Sequence, residues 1–293
     1  MTNSQTLKGS NLGPFSVDQI VRSDRCGFES DRDLFSGALK DLRGGFAKMH
    51  LARALAVEDI RARYMRSVLG VGWVFISFAV FVGVKVVIFT PLAQEGVGFF
   101  APYVAIGFFA WSFIYAAIID GCASFIGAQG WIKGTRTPLT IYVLQSVMRN
   151  LFLTAINLIV VALICLFSGL KLTWVSLAVL PVCVLFVINA LWLHFLFSTI
   201  GARYRDFVHL VQTIMRVMFF LTPVFWLPEQ MGELMKVLIF NPLAHYIFVL
   251  RDPILYGTIP WTSVWVVLGC TAAGCAAAFA IFARARQRIV FWL

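Results

Sequence analysis

Arginines recur in one spacing along this sequence: Arg61-x-Arg63, Arg203-x-Arg205 and Arg284-x-Arg286. A guanidinium is planar, always charged, and donates two parallel hydrogen bonds to phosphate or carboxylate oxygens. Such pairs can hold an anionic group. They are also what a membrane protein gathers at its cytoplasmic face. Catalytic groupings are missing by comparison. There are 14 acids, of which eight precede Val71, and no two of the remaining six form a DxxD-like pair. No HExxH, G-x-S-x-G or P-loop pattern occurs, and His50, His194, His209 and His245 stand alone. The six cysteines at 26, 122, 165, 183, 270 and 275 include no CxxC, and four lie in apolar runs. They read as small packing residues, not metal ligands or disulfides. These residues argue against an enzyme and against direct ATP binding.

The elements that must position the arginines are apolar. Of the 293 residues, 60% are hydrophobic and 13% charged, with a mean hydropathy of +0.85. A soluble domain is roughly 45–50% apolar, so the chain reads as an integral membrane protein. About 20 apolar residues cross a bilayer as a helix. Six segments qualify, about 71–90, 99–119, 144–167, 173–197, 208–227 and 261–283. All are much longer than the roughly 9–11 residues of a barrel strand. The expected fold is an all-α membrane protein. A polar tail (1–35) and an interface region (36–70) precede the transmembrane domain (71–293). Residues 1–33 lack the apolar core of a signal peptide, so the first span is expected to target the chain.

Orientation follows from lysine and arginine bias. Eleven of the 24 precede Val71, and 19 fall on one side when the 120–143 loop, Arg149, the 198–207 loop and the C-terminal end are included. The other side holds Lys171, Lys236 and Arg251, while Lys85 and Arg216 lie within spans. Both termini are therefore expected in the cytoplasm. The last outer loop, from Pro228 to Pro260, is apolar in patches but broken by Pro242 and Pro253. Short helices dipping into the outer leaflet fit it, with their turns buried in protein or facing water.

The stretch before the first span repays closer reading. On a helical wheel Met49, Ala52, Ala56, Ile60, Tyr64 and Val68 share one arc. Lys48, Glu58, Asp59, Arg61 and Arg66 take the other, and Arg53 and Arg63 intrude on the apolar side. That pattern fits an amphipathic helix lying in the headgroup plane, with Gly70 and Gly72 turning the chain into the membrane. Orientation alone accounts for its arginines, and for the other two Arg-x-Arg pairs. The functional reading is a basic ring around an entrance for an anionic substrate, such as a lipid-linked pyrophosphate. It would use Arg61, Arg63, Tyr64, Arg66, Arg203 and Arg205.

Within the spans, Arg216 is costly in lipid and should face a lumen or partner. Lys85 is close enough to the outer end to snorkel. Asn157 and Asn189 should hydrogen-bond neighbouring helices. The aromatic clusters "GFFAWSFIY" and "MFFLTPVFW" fit an interfacial belt. They equally fit a sugar path, because rings stack on sugar faces without a fixed hydrogen-bond register. The residues that would line such a path are Trp73, Phe109, Trp111, Tyr115, Arg216, Phe219, Phe220, Phe225 and Trp226. Pro223 permits a kink there.

Taken in order, "IRARYMRSVLGVGW", "ARYRDF", "LTPVFW", "NPL" and "RARQRIVFWL" resemble the ABC-2 type permeases that export polysaccharides, in particular the O-antigen and lipopolysaccharide branch. The resemblance covers about residues 45–293. The chain differs at Met65, where that family often has a second basic residue, and lacks a Pro soon after Trp73.

The resemblance implies a half-transporter in the bacterial inner membrane. Two copies would form the pore, and two separate ATPase subunits would use ATP and Mg, with no cofactor bound by this chain. The substrate would be a polysaccharide on undecaprenyl pyrophosphate. The 124–140 loop would dock on the ATPase through Trp131, Lys133, Gly134, Thr135 and Arg136. The 228–257 segment would form a re-entrant pair at the outer mouth. A teichoic acid or capsule exporter, a membrane enzyme acting on lipid-linked sugars, and a secondary transporter are the alternatives. The sequence lacks the paired carboxylates that the enzyme would need and the internal repeat expected of the secondary transporter.

Overall fold

In a computed structural model, residues 31–93, 96–228 and 240–293 are described. The expectations for the tail up to residue 30, for Cys26 and Lys236, and for the first half of the re-entrant pair lie outside these residues.

The described residues form helices only. They are α1 (Asp31–Ala47), α2 (Met49–Tyr64), α3 (Gly72–Ala93), α4 (Val97–Gly127), α5 (Gln129–Gly134), α6 (Thr140–Phe167), a 3-10 turn (Trp174–Ala178), α7 (Val179–Arg203), α8 (Phe207–Phe220), α9 (Pro242–Leu255) and α10 (Trp261–Trp292). Five helical stretches are long and apolar enough to cross a membrane: Gly72–Pro91, Val97–Gly134, Thr140–Phe167, Trp174–Arg203 and Trp261–Trp292. The sixth expected span, 208–227, differs. Its helix stops at Phe220 after 14 residues, about 21 Å of rise against roughly 30 Å of hydrocarbon. Pro223 explains the stop. It has no N–H to donate, and it disfavours the α conformation at Thr222.

The bundle is built around α4. Its residues are apolar almost all round, which marks a buried helix. It packs against α7, α6, α9, α3 and α8. Between membrane helices, close van der Waals packing and hydrogen bonds replace the hydrophobic drive, so α4 acts as the template on which the others sit.

One end of the bundle is fastened by α1, a helix the sequence did not single out. The Asp41 carboxylate accepts from the backbone N–H groups of Leu139 (3.1 Å) and Thr140 (3.0 Å) and from the Thr140 hydroxyl (2.7 Å). Those N–H groups belong to the free N-terminus of α6, and a carboxylate also suits the positive end of the helix dipole. The cap arrives from nearly a hundred residues away, so no local capping pattern announces it. Asp41→Ala is expected to lower stability by about 1–2 kcal/mol. The measurement is the melting temperature of the detergent-solubilised protein, and an unchanged value would mean that the cap contributes nothing.

Candidate functional site

The helix holding Arg61 and Arg63 is anchored to protein. Ala52, Ala56 and Ile60 are buried, and α2 packs along α6, where Ala52 meets Ile141 and Leu144. Ala52, Ala56 and Ile60, the middle of the expected apolar arc, thus face α6, while Met49 at its start is exposed. The arc is also shorter than expected, because α2 ends at Tyr64 and Val68 is fully exposed. Gly70 then adopts φ +55°, a conformation glycine takes without strain, and α3 begins two residues later.

A charged network fixes α2 in place. Arg149 of α6 pairs with Asp59 of α2 at 2.9 Å and with Asp120 of α4 at 3.6 Å. Gln145 donates to the same Asp59 carboxylate at 2.6 Å, and Arg149 donates to Ser146 at 3.2 Å. Arg149, counted in the sequence as an orientation charge, is thus a three-helix junction with a nearly buried side chain. A buried cation of this kind is stable only with its partners. Asp59→Asn should loosen α2 by about 1–1.5 kcal/mol, giving about tenfold faster maleimide labelling of an Ala56→Cys thiol. Equal labelling rates would exclude the anchoring role.

Arg61, Arg63 and Arg66 remain exposed, and Tyr64 is half-buried. Arg203 donates from Nε to the Tyr204 hydroxyl at 2.9 Å and stacks on Trp292, while Arg205 donates to the Leu293 carbonyl at 3.3 Å. In one copy no hydrogen bond or ion pair among the described residues joins these two arginine groups. What the structure does bring together is Tyr64 and Trp73. Both line a groove of about 450 Å³ with Val74, Ser77, Phe78, Phe81, Phe108, Ser112 and Asn157. The Asn157 side-chain oxygen is buried there without a hydrogen-bond partner among the described residues. Asn189, by contrast, binds its neighbours as expected: it donates to Thr271 and accepts from Trp192 and Tyr246.

The other aromatic residues divide by burial. Phe109, Trp111 and Phe225 are buried within one copy, and Tyr115, Phe219 and Trp226 are half-buried. Phe220, Trp73 and Arg216 are exposed. Phe81 stacks on Phe108 with centroids 4.0 Å apart, and Phe219 touches Phe108, Trp111 and Phe225. Lys85 does more than snorkel. Its ammonium lies over Phe225 at 4.7 Å, Phe89 at 5.4 Å and Phe81 at 5.5 Å, an arrangement favoured by the ring quadrupole.

Sequence reasoning missed the importance of Arg251. It was counted as an outer-side charge, yet it is only 1% exposed. It donates to the Pro223 carbonyl at 2.8 Å and lies 3.8 Å from the centroid of the Tyr103 ring. Tyr103 donates to the Trp226 carbonyl at 2.9 Å, and Asn241 donates to Leu221 O and Thr222 Oγ1, each at 3.1 Å. Gly107 allows the close approach, since a Cβ there would lie 2.9 Å from the Val224 carbonyl. Asn241 also caps α9, accepting from Leu243 N at 3.0 Å with Pro242 in the first turn. This is what "NPL" does. Arg251 and Pro223 stand 28 residues apart, so only a buried Arg near the end of the loop hinted at it. Arg251→Ala should cost about 3 kcal/mol and Tyr103→Phe about 1 kcal/mol. Denaturant unfolding in mixed micelles measures both, and equal losses would contradict the assigned roles.

Trp131, Lys133 and Arg136 are all exposed on the turn that follows α4. Trp131 is 61% exposed on the short helix α5, and both cations face solvent. No group of His, Cys, Asp and Glu among the described residues could hold a metal ion.

A helical bundle with several helices long and apolar enough to cross a membrane, a broken helix sealed by buried donors, and an exposed basic turn defines a multi-pass membrane protein. No family model matches the chain. It is 26% identical over 213 residues to the O-antigen export system permease protein RfbA of Klebsiella pneumoniae, which covers 72% of this chain and 82% of that relative. The protein of the same name from Myxococcus xanthus is 24% identical over 174 residues, or 59% of this chain and 66% of its own length. A second Klebsiella pneumoniae relative of that name is 24% identical over 214 residues, 72% of this chain and 82% of the relative. The chain thus resembles O-antigen exporter permeases, as its motifs indicate, and it is similar to transporter subunits, not to enzymes.

Proposed function

We propose that this chain is the transmembrane subunit of an ATP-driven exporter for a polysaccharide carried on undecaprenyl pyrophosphate. The observation that carries this reading is the groove holding Tyr64 and Trp73. It is lined by Tyr64, at the end of the helix that carries the exposed Arg61 and Arg63, and by the rings of Trp73, Phe78, Phe81 and Phe108. Guanidinium groups on the helix that ends at Tyr64 suit a pyrophosphate. Ring faces inside the groove suit a sugar. The relatives' shared name supports the substrate class.

In this reading both termini are cytoplasmic and the chain lies in the bacterial inner membrane. Two copies enclose the path, and six crossings are reached when α8 and the segment after it count as one. A separate ATPase docks at the 124–140 turn, and its closure is transmitted through α4 and α6 to α2 by the Arg149 junction. Arg203 and Arg205 complete the basic entrance only once two copies assemble, since one copy does not join them to Arg61 and Arg63. Export of teichoic acid or capsule by the same architecture uses the same groups.

Neutralising Arg61 and Arg63 together (Arg61→Gln with Arg63→Gln) should reduce export about tenfold or more, given the energy of charge-assisted phosphate contacts. Surface polysaccharide is measured in cells, with membrane topology checked by reporter fusions. Undiminished export would reduce these residues to orientation signals. Transport by the purified chain alone, driven by an ion gradient, would refute the exporter reading.

A further inference from the structure

The helices α7 and α10 run in the same direction and are tied together part-way along. Asn189 donates to Thr271 at 2.8 Å, and the Trp192 ring covers Gly274, where an added Cβ would overlap it. Farther on, the rings of Phe195 and Phe282 meet edge to face. Between these ties and the N-terminal ends of both helices lies a slot of about 400 Å³. It follows residues 178–188 on one side and 261–268 on the other, with Pro253 of α9 in its third wall. No wall residue is charged, and Trp261 alone brings a side-chain hydrogen-bonding group. The Pro253 carbonyl is already taken by the Ser176 hydroxyl at 3.0 Å. Val184 and Leu268 in the wall are exposed, so the slot is open at the side of the bundle.

We propose that this slot seats one acyl chain of a membrane phospholipid. The inference needs a membrane protein but not an exporter. Four features of the slot select the occupant. Its walls offer no partner for polar groups, so a sugar or a non-helical peptide placed there would leave hydrogen-bonding groups unmet. Ordered water has nothing to bind either. A helix is about 10–12 Å across, and over the same rise it would fill roughly 1,200 Å³, about three times the space present. The length suits a lipid. Residues 178–188 rise about 15 Å, which is half of the roughly 30 Å hydrocarbon core and so the reach of one leaflet. The open end suits it as well. Both crossing stretches, Trp174–Arg203 and Trp261–Trp292, begin with an exposed tryptophan. That residue type gathers where hydrocarbon meets headgroups, and Trp261 itself stands in the slot wall. A chain entering at that end packs on α9, the helix whose Arg251 binds the Pro223 carbonyl. The lipid would thus complete the support of the broken helix.

The test uses the full-length chain reconstituted with phosphatidylethanolamine that carries a diazirine on one acyl chain. After photolysis the labelled residues are mapped by mass spectrometry. Labelling should concentrate in residues 178–188 and 261–268 and should exceed that of Leu158 and Ile159, which are exposed on α6 away from the slot. Filling the slot by Val184→Trp with Leu268→Trp should lower the label there about tenfold, the factor expected when a chain loses contact for about two methylene groups. Ile159→Trp should leave it unchanged. Monodisperse elution separates a filled slot from lost folding, and Val184→Phe alone serves if the double variant does not fold. Even labelling of every exposed helix face means ordinary solvating lipid and overturns the inference, as does label that the filled variant retains. If undecaprenyl phosphate displaces the label and an equal amount of phosphatidylglycerol does not, the slot belongs to a polyprenyl chain and the inference fails. If Val184→Cys chains form disulfide-linked dimers on mild oxidation and the wild-type slot takes no label, a second copy covers it, and the inference fails as well.

Discussion

A polar group removed from water needs a partner inside the protein, and most of this structure follows from that constraint. In a bilayer an unsatisfied backbone carbonyl costs several kcal/mol. Helices meet the requirement by themselves; the segment from Leu221 to Pro228 does not. Three of its carbonyls are met by Tyr103 of α4 and by Asn241 and Arg251, the cap and a buried residue of α9. The Pro223 carbonyl, the Tyr103 face and Asp252 surround the Arg251 guanidinium in a nearly closed site. Removing the break would need a different residue at Pro223; keeping it requires the donors.

The same constraint divides the arginines. Arg149 and Arg251 are internal, and each binds elements distant in sequence. Arg61, Arg63, Arg66 and Arg136 are exposed and without ion pairs among the described residues. Charges of the first kind hold helices in register. Those of the second kind are available to a ligand or partner. The middle of the apolar arc of α2 is spent on α6, while Arg53, Arg61 and Arg63 stay on its exposed side. Packing on α6 and the Asp59–Arg149 pair set the position of α2 beside the groove.

The rings show a related division. Phe109, Trp111 and Phe225 support the bundle, whereas Trp73, Phe78, Phe81 and Phe108 border the groove. Both sets come from the same kinds of aromatic cluster. Lys85 sits between the two sets, over Phe225 of the supporting rings and Phe81 of the groove, with Phe89 beside them.

Much of the architecture was legible in the sequence. Length and hydropathy fix five of the crossings, because a 20-residue apolar run has few alternatives in water or lipid. The turn at Gly70 was readable too, since it depends on neighbouring residues. Pro223 marked a disturbance, but whether the helix bends or ends depends on donors contributed by Tyr103, Asn241 and Arg251. Asp41 looked like one more acid in a polar stretch, and Arg149 like one more cytoplasmic charge. The sequence by itself determined which segments are helical and apolar, because that follows from local composition. Only the tertiary structure decided which charges are spent inside and which face outward, because pairing depends on which helix faces meet.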